Sequence, residues 1–253
     1  MQARVVGLAR GIGWLAEGWR LFRLAPFGWI ALVFAYWLLM TLVSLVPLAG
    51  VVVASVLVPA FSVGFMAAAR AASHRAPLEL RLLFEGFRNE RRAQIVLGVI
   101  YFACLAAVLG ATALADGGGL ARWMLGGARP TDEALQSDEF LGAVFSAMLL
   151  YLPVMMMFWF APPLAAWHST GAVKALFFSF FGCLMNWRAF LGYAAATFVL
   201  TLLVPFIIAL VLLKLVGGLP LMALLFPLIL LLLPILFASF YASYRDVFGV
   251  IVE

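Results

Sequence analysis

The chain has 253 residues, 67% of them hydrophobic and 11% charged, with a net charge of +5. Soluble domains carry roughly 45–50% apolar and about 25% charged residues, so an ordinary soluble domain is excluded. The basic balance follows from membrane sidedness and leaves no role for nucleic-acid binding.

In chain order, the first element is a helical stretch over Gly11–Arg23. Ile12, Leu15, Trp19 and Phe22 recur on one face, with Glu17, Arg20 and Arg23 away from it. An apolar run near Ala25–Val46 follows, long enough to cross a bilayer, which takes about 20 residues. It is too long for a cleaved signal peptide, and Pro47-Leu48-Ala49-Gly50 reads as a tight turn rather than a cleavage site, so a retained signal anchor is expected. The second span lies near Val51–Ala69. Small residues recur every fourth position along and just beyond it, at Ala60, Gly64, Ala68 and Ala72, a spacing that lets helix backbones approach closely.

A second amphipathic helix is expected over Pro77–Arg91, with Leu80, Leu83, Phe84 and Phe87 set against Glu79, Arg81, Glu85 and Arg88. The third span is Ala93–Leu114. The outer segment, Ala115–Glu139, holds Gly117-Gly118-Gly119 and then Thr131 before acidic residues, a helix start that projects span four outward. Span four covers Phe140–Ala165, with Pro162-Pro163 helping to end it. A third helix, Ala172–Trp187, carries the stripe Leu176, Phe180, Cys183 and Leu184. Spans five and six lie near Ala189–Leu213 and Leu219–Tyr244, with the small-residue pairs Gly192/Ala196 and Ala238/Ala242.

The fold class is therefore all-α: a polytopic membrane protein with six transmembrane helices as three hairpins, each preceded by a cytoplasmic interfacial helix. An alternative for those three stretches is apolar loops packed on the bundle. Residues 1–253 form one integral membrane domain, with repeat units over about 10–69, 77–165 and 172–244 in one orientation.

Thirteen of the 16 Lys and Arg fall on one side: Arg4, Arg10, Arg20, Arg23, Arg70, Arg75, Arg81, Arg88, Arg91, Arg92, Lys174, Arg188 and Arg245. Arg122, Arg129 and Lys214 fall on the other. The positive-inside rule puts both termini in the cytoplasm and residues 115–139 in the periplasm. Anionic membrane lipids at the cytoplasmic face are the expected partners, with a protein partner or a second copy also open. Trp14, Trp19, Trp29, Trp167, Trp187 and Tyr244 fall near the cytoplasmic boundaries, as an aromatic belt would.

None of the six runs holds an ionisable residue, whereas ion pathways generally need one. His168 has no carboxylate or cysteine near it in sequence. Asp132, Glu133, Asp138 and Glu139 lack the ligand density of a calcium loop, and Cys104 and Cys183 are too far apart in setting for a disulfide. No catalytic, cofactor or metal residues are assigned. The candidate site is a cytoplasmic corner of Asn186, Arg188, Arg245 and Asp246, in which Asp246 or Arg245 would pair with Asn186 or Arg188 to lock the third hairpin.

Two segments, Gly182-Cys183-Leu184-Met185-Asn186-Trp187 and Tyr241-Ala242-Ser243-Tyr244-Arg245-Asp246-Val247-Phe248, together with Glu17–Phe22, resemble an uncharacterised family of proteobacterial multi-pass inner-membrane proteins. More distantly the chain is similar to YciC-like proteins and to the membrane domain of some glycerophosphodiester phosphodiesterases, whose chemistry sits in a separate soluble domain and is not implied for this chain. The resemblance implies an inner-membrane location. The function expected is non-enzymatic and interaction-based, with a carrier of lipid or a small amphipathic ligand as the alternative.

Overall fold

A computed structural model describes residues 2–46, 49–127, 129–216 and 221–249; of 213, 215, 216 and 221–231 it describes the backbone. The described residues form helices and no strand, as lipid requires, since backbone polar groups there must be paired within the segment. Five helices are long and apolar enough to cross a membrane: Pro26–Ser44, Ala49–Ser73, Arg91–Asp116, Asp138–His168 and the continuous run Trp187–Leu212. The sixth expected span, Leu219–Tyr244, begins outside the described residues; its backbone is helical from Leu221 to Phe248.

The helices are α1 (Leu8–Leu24), α2 (Pro26–Ser44), α3 (Ala49–Ser73), α4 (Glu85–Arg88), α5 (Arg91–Asp116), α6 (Gly119–Met124), α7 (Asp132–Leu135), α8 (Asp138–His168), α9 (Ala172–Met185), α10 (Trp187–Phe198), α11 (Val204–Val216) and α12 (Leu221–Phe248). A π-helical turn, Val199–Leu203, joins α10 to α11 without a break. Of these five, α3 is the most buried, with 50% of its apolar window covered against 11–17% for the other four. Ala60, Ala68 and Ala72 are all buried on it. Phe34, Leu38, Val99, Phe145, Met148 and Phe206 are exposed on the other spans, the pattern of side chains whose solvent is hydrocarbon.

The chain forms two compact units, one of residues 1–38, 61–85 and 181–253, the other of 39–60 and 86–180. In the first, α1 packs on α10 and α12. Its buried face is Gly11, Trp14, Leu15, Gly18, Leu21 and Phe22, whereas Ile12 and Trp19, expected on the same stripe as Leu15 and Phe22, are exposed. Glycine sets that face. A Cβ on Gly11 would lie 1.8 Å from the Ala189 carbonyl oxygen, and one on Gly18 2.4 Å from that of Ile235. From the other side, a Cβ on Gly192 would lie 2.5 Å from the Leu8 carbonyl oxygen.

In the second unit, α5 packs along α8. Tyr101 and Tyr151 join hydroxyls at 3.0 Å across that interface. The segment after α5 is ordered by Asp116, which accepts from the Gly118 and Leu120 amides at 2.9 and 2.6 Å. Leu120 then packs with Phe140 and Ala143. Thr131 caps only the single turn α7, through the Ala134 amide. Ser137 opens α8 by accepting from Phe140 N, so the expected outward projection is a separate turn.

Two further expectations are corrected. Pro162-Pro163 do not end span four: α8 runs through them to His168. Just before them a serine from α9 supports the helix. Ser179 Oγ accepts from Phe160 N at 2.9 Å and donates to Met156 O at 2.7 Å, bridging a main-chain donor and acceptor close to where proline strains the ladder. The stretch Pro77–Arg91 is not one amphipathic helix. It is a 3₁₀ turn, Leu80–Phe84, followed by the single turn α4. Close backbone approaches explain this: Leu83 lies against Gly64, where a Cβ would come 2.4 Å from its carbonyl oxygen, and Gly86 lies against Ala60. Leu83 and Gly86 are buried while Leu80 and Phe84 are exposed.

Candidate functional site

The basic corner is built in the first unit, where α1 meets the start of α10 and the end of α12. Asp246, in the last turn of α12, is the hub. Its Oδ2 accepts from Arg10 Nε at 2.5 Å and from Trp14 Nε1 at 2.9 Å, and its Oδ1 accepts from Arg10 Nη2 at 2.9 Å. The Asp246 side chain is 11% exposed and that of Arg10 55%. The pair is thus a bidentate clamp at the rim of a packed interface. The carboxylate raises the Arg10 pKa, chiefly through those hydrogen bonds. Trp14 is buried with its ring 5.4 Å from Phe190 and 5.8 Å from Tyr193, and Asp246 gives its indole N–H an acceptor.

The preceding residue, Arg245, reaches Glu17 of α1, Nη2 to Oε1 at 3.2 Å. Glu17 also accepts from Arg20 through both oxygens, at 2.9 and 2.5 Å. Those bonds hold its carboxyl below the usual glutamate value, with the charge of Arg245 adding to the effect and partial burial opposing it.

Asn186 is buried at the α9–α10 junction. Its Nδ2 donates to the Arg4 and Gly182 carbonyls, both at 2.9 Å, and its Oδ1 accepts from Val6 N at 2.8 Å. The Arg4 amide in turn donates to Val247 O at 2.7 Å. Residues 4–6 therefore form an extended strap pinned to α12 on one side and to Asn186 on the other.

The four corner residues are not partners of each other. Asp246 pairs with Arg10 and Trp14, Arg245 with Glu17, and Asn186 with the strap, while Arg188 lies over the exposed Trp187 ring at 5.4 Å. The expected lock of Asp246 on Arg188 is replaced by a lock of α12 on α1. Sequence reasoning misses Arg10, Trp14 and Glu17; their i, i+4 and i+7 spacing on α1 is the available signal. Of the small residues, Ala238 and Ala242 are buried and Gly192 meets α1, while Ala196 is only half-buried. Trp29 and Tyr244 lie in the core with Trp14 rather than in a belt. Trp29 donates to Leu21 O.

Chemically, both carboxylates of the corner are occupied as acceptors for arginine or indole, which suits fastening rather than proton transfer. Among the described residues no three His, Cys, Asp or Glu side chains gather where a metal ion could be held. The thiol of Cys183 is pushed up by burial, which makes it a poor nucleophile.

No protein-family model matches the chain, and no solved structure matches it. It is 40% identical over 256 residues to a probable inner membrane protein of Burkholderia thailandensis, an alignment covering 99% of this chain and 95% of that one. Identity of that extent, over a stretch that takes in the strap, α1 and the closing turns of α12, places the chain in one family with that probable inner membrane protein.

Proposed function

We propose that this is a non-enzymatic multi-pass protein of the bacterial inner membrane, acting through interactions of its basic face with anionic lipid. The reading includes six spans in three hairpins with both termini cytoplasmic, α12 supplying the sixth. One observation carries it. Among the 13 cations assigned to the cytoplasmic side are three over aromatic rings: Arg23 over Trp19 at 5.7 Å, Lys174 over Phe178 at 5.8 Å and Arg188 over Trp187 at 5.4 Å. Arg88, Arg91 and Arg92 form no ion pair among the described residues. An amphipathic ring beside a free cation suits the headgroup layer. The 14 residues of α9 are too few to cross the bilayer and suit an interfacial position.

The test is reconstitution into nanodiscs of phosphatidylcholine with and without phosphatidylglycerol, followed by thermal unfolding. A higher midpoint with the anionic lipid, reversed by salt, is expected. Equal midpoints would count against the reading. The carrier alternative draws on the π-helical turn Val199–Leu203, a distortion that recurs at functional sites. Lipid transfer between vesicle populations, dependent on the protein, would favour it.

A further inference from the structure

One polar group in the second unit is unexplained by packing. Gln94, in the first turn of α5, is 2% exposed. Its Nε2 donates to Pro162 O at 2.9 Å, yet its Oε1 is buried and accepts from nothing among the described residues. Native interiors leave few such acceptors without a donor. Gln94 also forms part of the wall of a half-open cavity of about 60 Å³. The remaining wall is mostly apolar, from Val56 and Leu57 of α3, Phe87 of α4 and Ile95 of α5, with Arg91 as its one charged member.

Three features around this cavity agree. Arg91 is exposed and forms no ion pair among the described residues, with Arg88 and Arg92 beside it in sequence. The N-terminus of α5 has no side-chain cap, so its first amides and dipole favour an anion there. Ile95, Val96 and Val99 are exposed along the same helix, and α5 is long and apolar enough to cross the membrane. The cavity thus lies at the basic end of a span, where headgroups give way to acyl chains.

We infer that this crevice binds one anionic glycerophospholipid with a hydroxylated headgroup. Its phosphate sits at Arg91 and the uncapped turn of α5, and a headgroup hydroxyl donates to Gln94 Oε1. A segment of one acyl chain lies against Val56, Leu57, Phe87 and Ile95; the volume admits a segment and not a whole lipid. The inference rests on the lipid reading above and assigns it one place.

Native mass spectrometry of the full chain in nonionic detergent, titrated with dioleoyl phosphatidylglycerol or dioleoyl phosphatidylcholine, tests it. Wild type should hold one phosphatidylglycerol in preference to phosphatidylcholine. Arg91→Gln should weaken that binding about fivefold, and Leu57→Trp should weaken it by filling the crevice. Arg75→Gln, an exposed basic position outside the crevice, should leave it unchanged. Because Arg91 is exposed, its variant should fold as wild type does. Equal binding by wild type and Arg91→Gln, with the preference for phosphatidylglycerol intact, overturns this site and leaves the general reading standing. An equal loss in Arg91→Gln and Arg75→Gln overturns it in favour of diffuse surface charge. Displacement by inorganic phosphate overturns the lipid in favour of a free anion. No preference in wild type removes both readings.

Discussion

Replacing Asp246 with alanine removes three hydrogen bonds at once, and their surroundings make them unequal. The two from Arg10 involve a side chain that is 55% exposed, and water can replace them, so their loss costs about 0.5–1 kcal/mol. The third leaves the indole N–H of Trp14, a residue 1% exposed, without an acceptor, at about 1–3 kcal/mol. Asp246→Ala should therefore destabilise the fold by about 2–3 kcal/mol. Asp246→Asn, which can still accept from Trp14, should cost about 1 kcal/mol, as should Arg10→Gln. Unfolding in mixed micelles by titration with SDS, followed by tryptophan fluorescence, measures all three. A double-mutant cycle should show coupling between Asp246 and Arg10 and none between Asp246 and Arg188. If Arg10→Gln proves as damaging as Asp246→Ala, the buried indole is not the dominant loss and the reasoning fails.

Two glycines of α1 should behave in opposite ways. Gly11→Ala drives a methyl into the Ala189 carbonyl and should cost about 3 kcal/mol or more, read as unfolding at a lower SDS fraction. Gly13→Ala meets nothing within 4 Å and should stabilise by about 0.5–1 kcal/mol through helix propensity. Ser179→Ala leaves Phe160 N and Met156 O unbridged and should lower stability by about 1–3 kcal/mol, read as a lower thermal midpoint in detergent. Acid should loosen the corner through Glu17. Because its folded-state pKa is lowered from 4.5, its contribution is complete above that value and is lost as the pH falls through the lower one. Glu17→Gln should flatten the thermal midpoint between about pH 6 and about pH 3, and an unchanged profile would exclude this group as the cause.

Five of the spans are legible because a long apolar run in lipid has one backbone solution, and their expected ends fall within a few residues of the helices seen. The face of α1 is not. Ile12 and Trp19 weigh heavily in any hydropathy pattern, yet the contact is set by Gly11 and Gly18, which weigh almost nothing. Proline misleads at positions 162–163 because the serine that supports α8 comes from another helix. Asn186, Arg245 and Asp246 stand out in the sequence as a corner with chemistry, and their partners do not. Charge patterning reports which side of the membrane a residue occupies, whereas Asp246 and Arg10 are joined by folding across 236 positions.

That separation bears on how the protein is made. The face of α1 that carries Trp14 and Leu21 leaves the ribosome before α10 and α12, which cover it and are synthesised roughly 170 or more residues later. At about 5–20 residues per second, α1 waits on the order of ten seconds or longer with that face uncovered. The strap of residues 4–6 then waits longer still, until Val247 emerges. A nascent chain stalled before α12 would therefore display an uncovered apolar face on α1, a signal that membrane quality control could read.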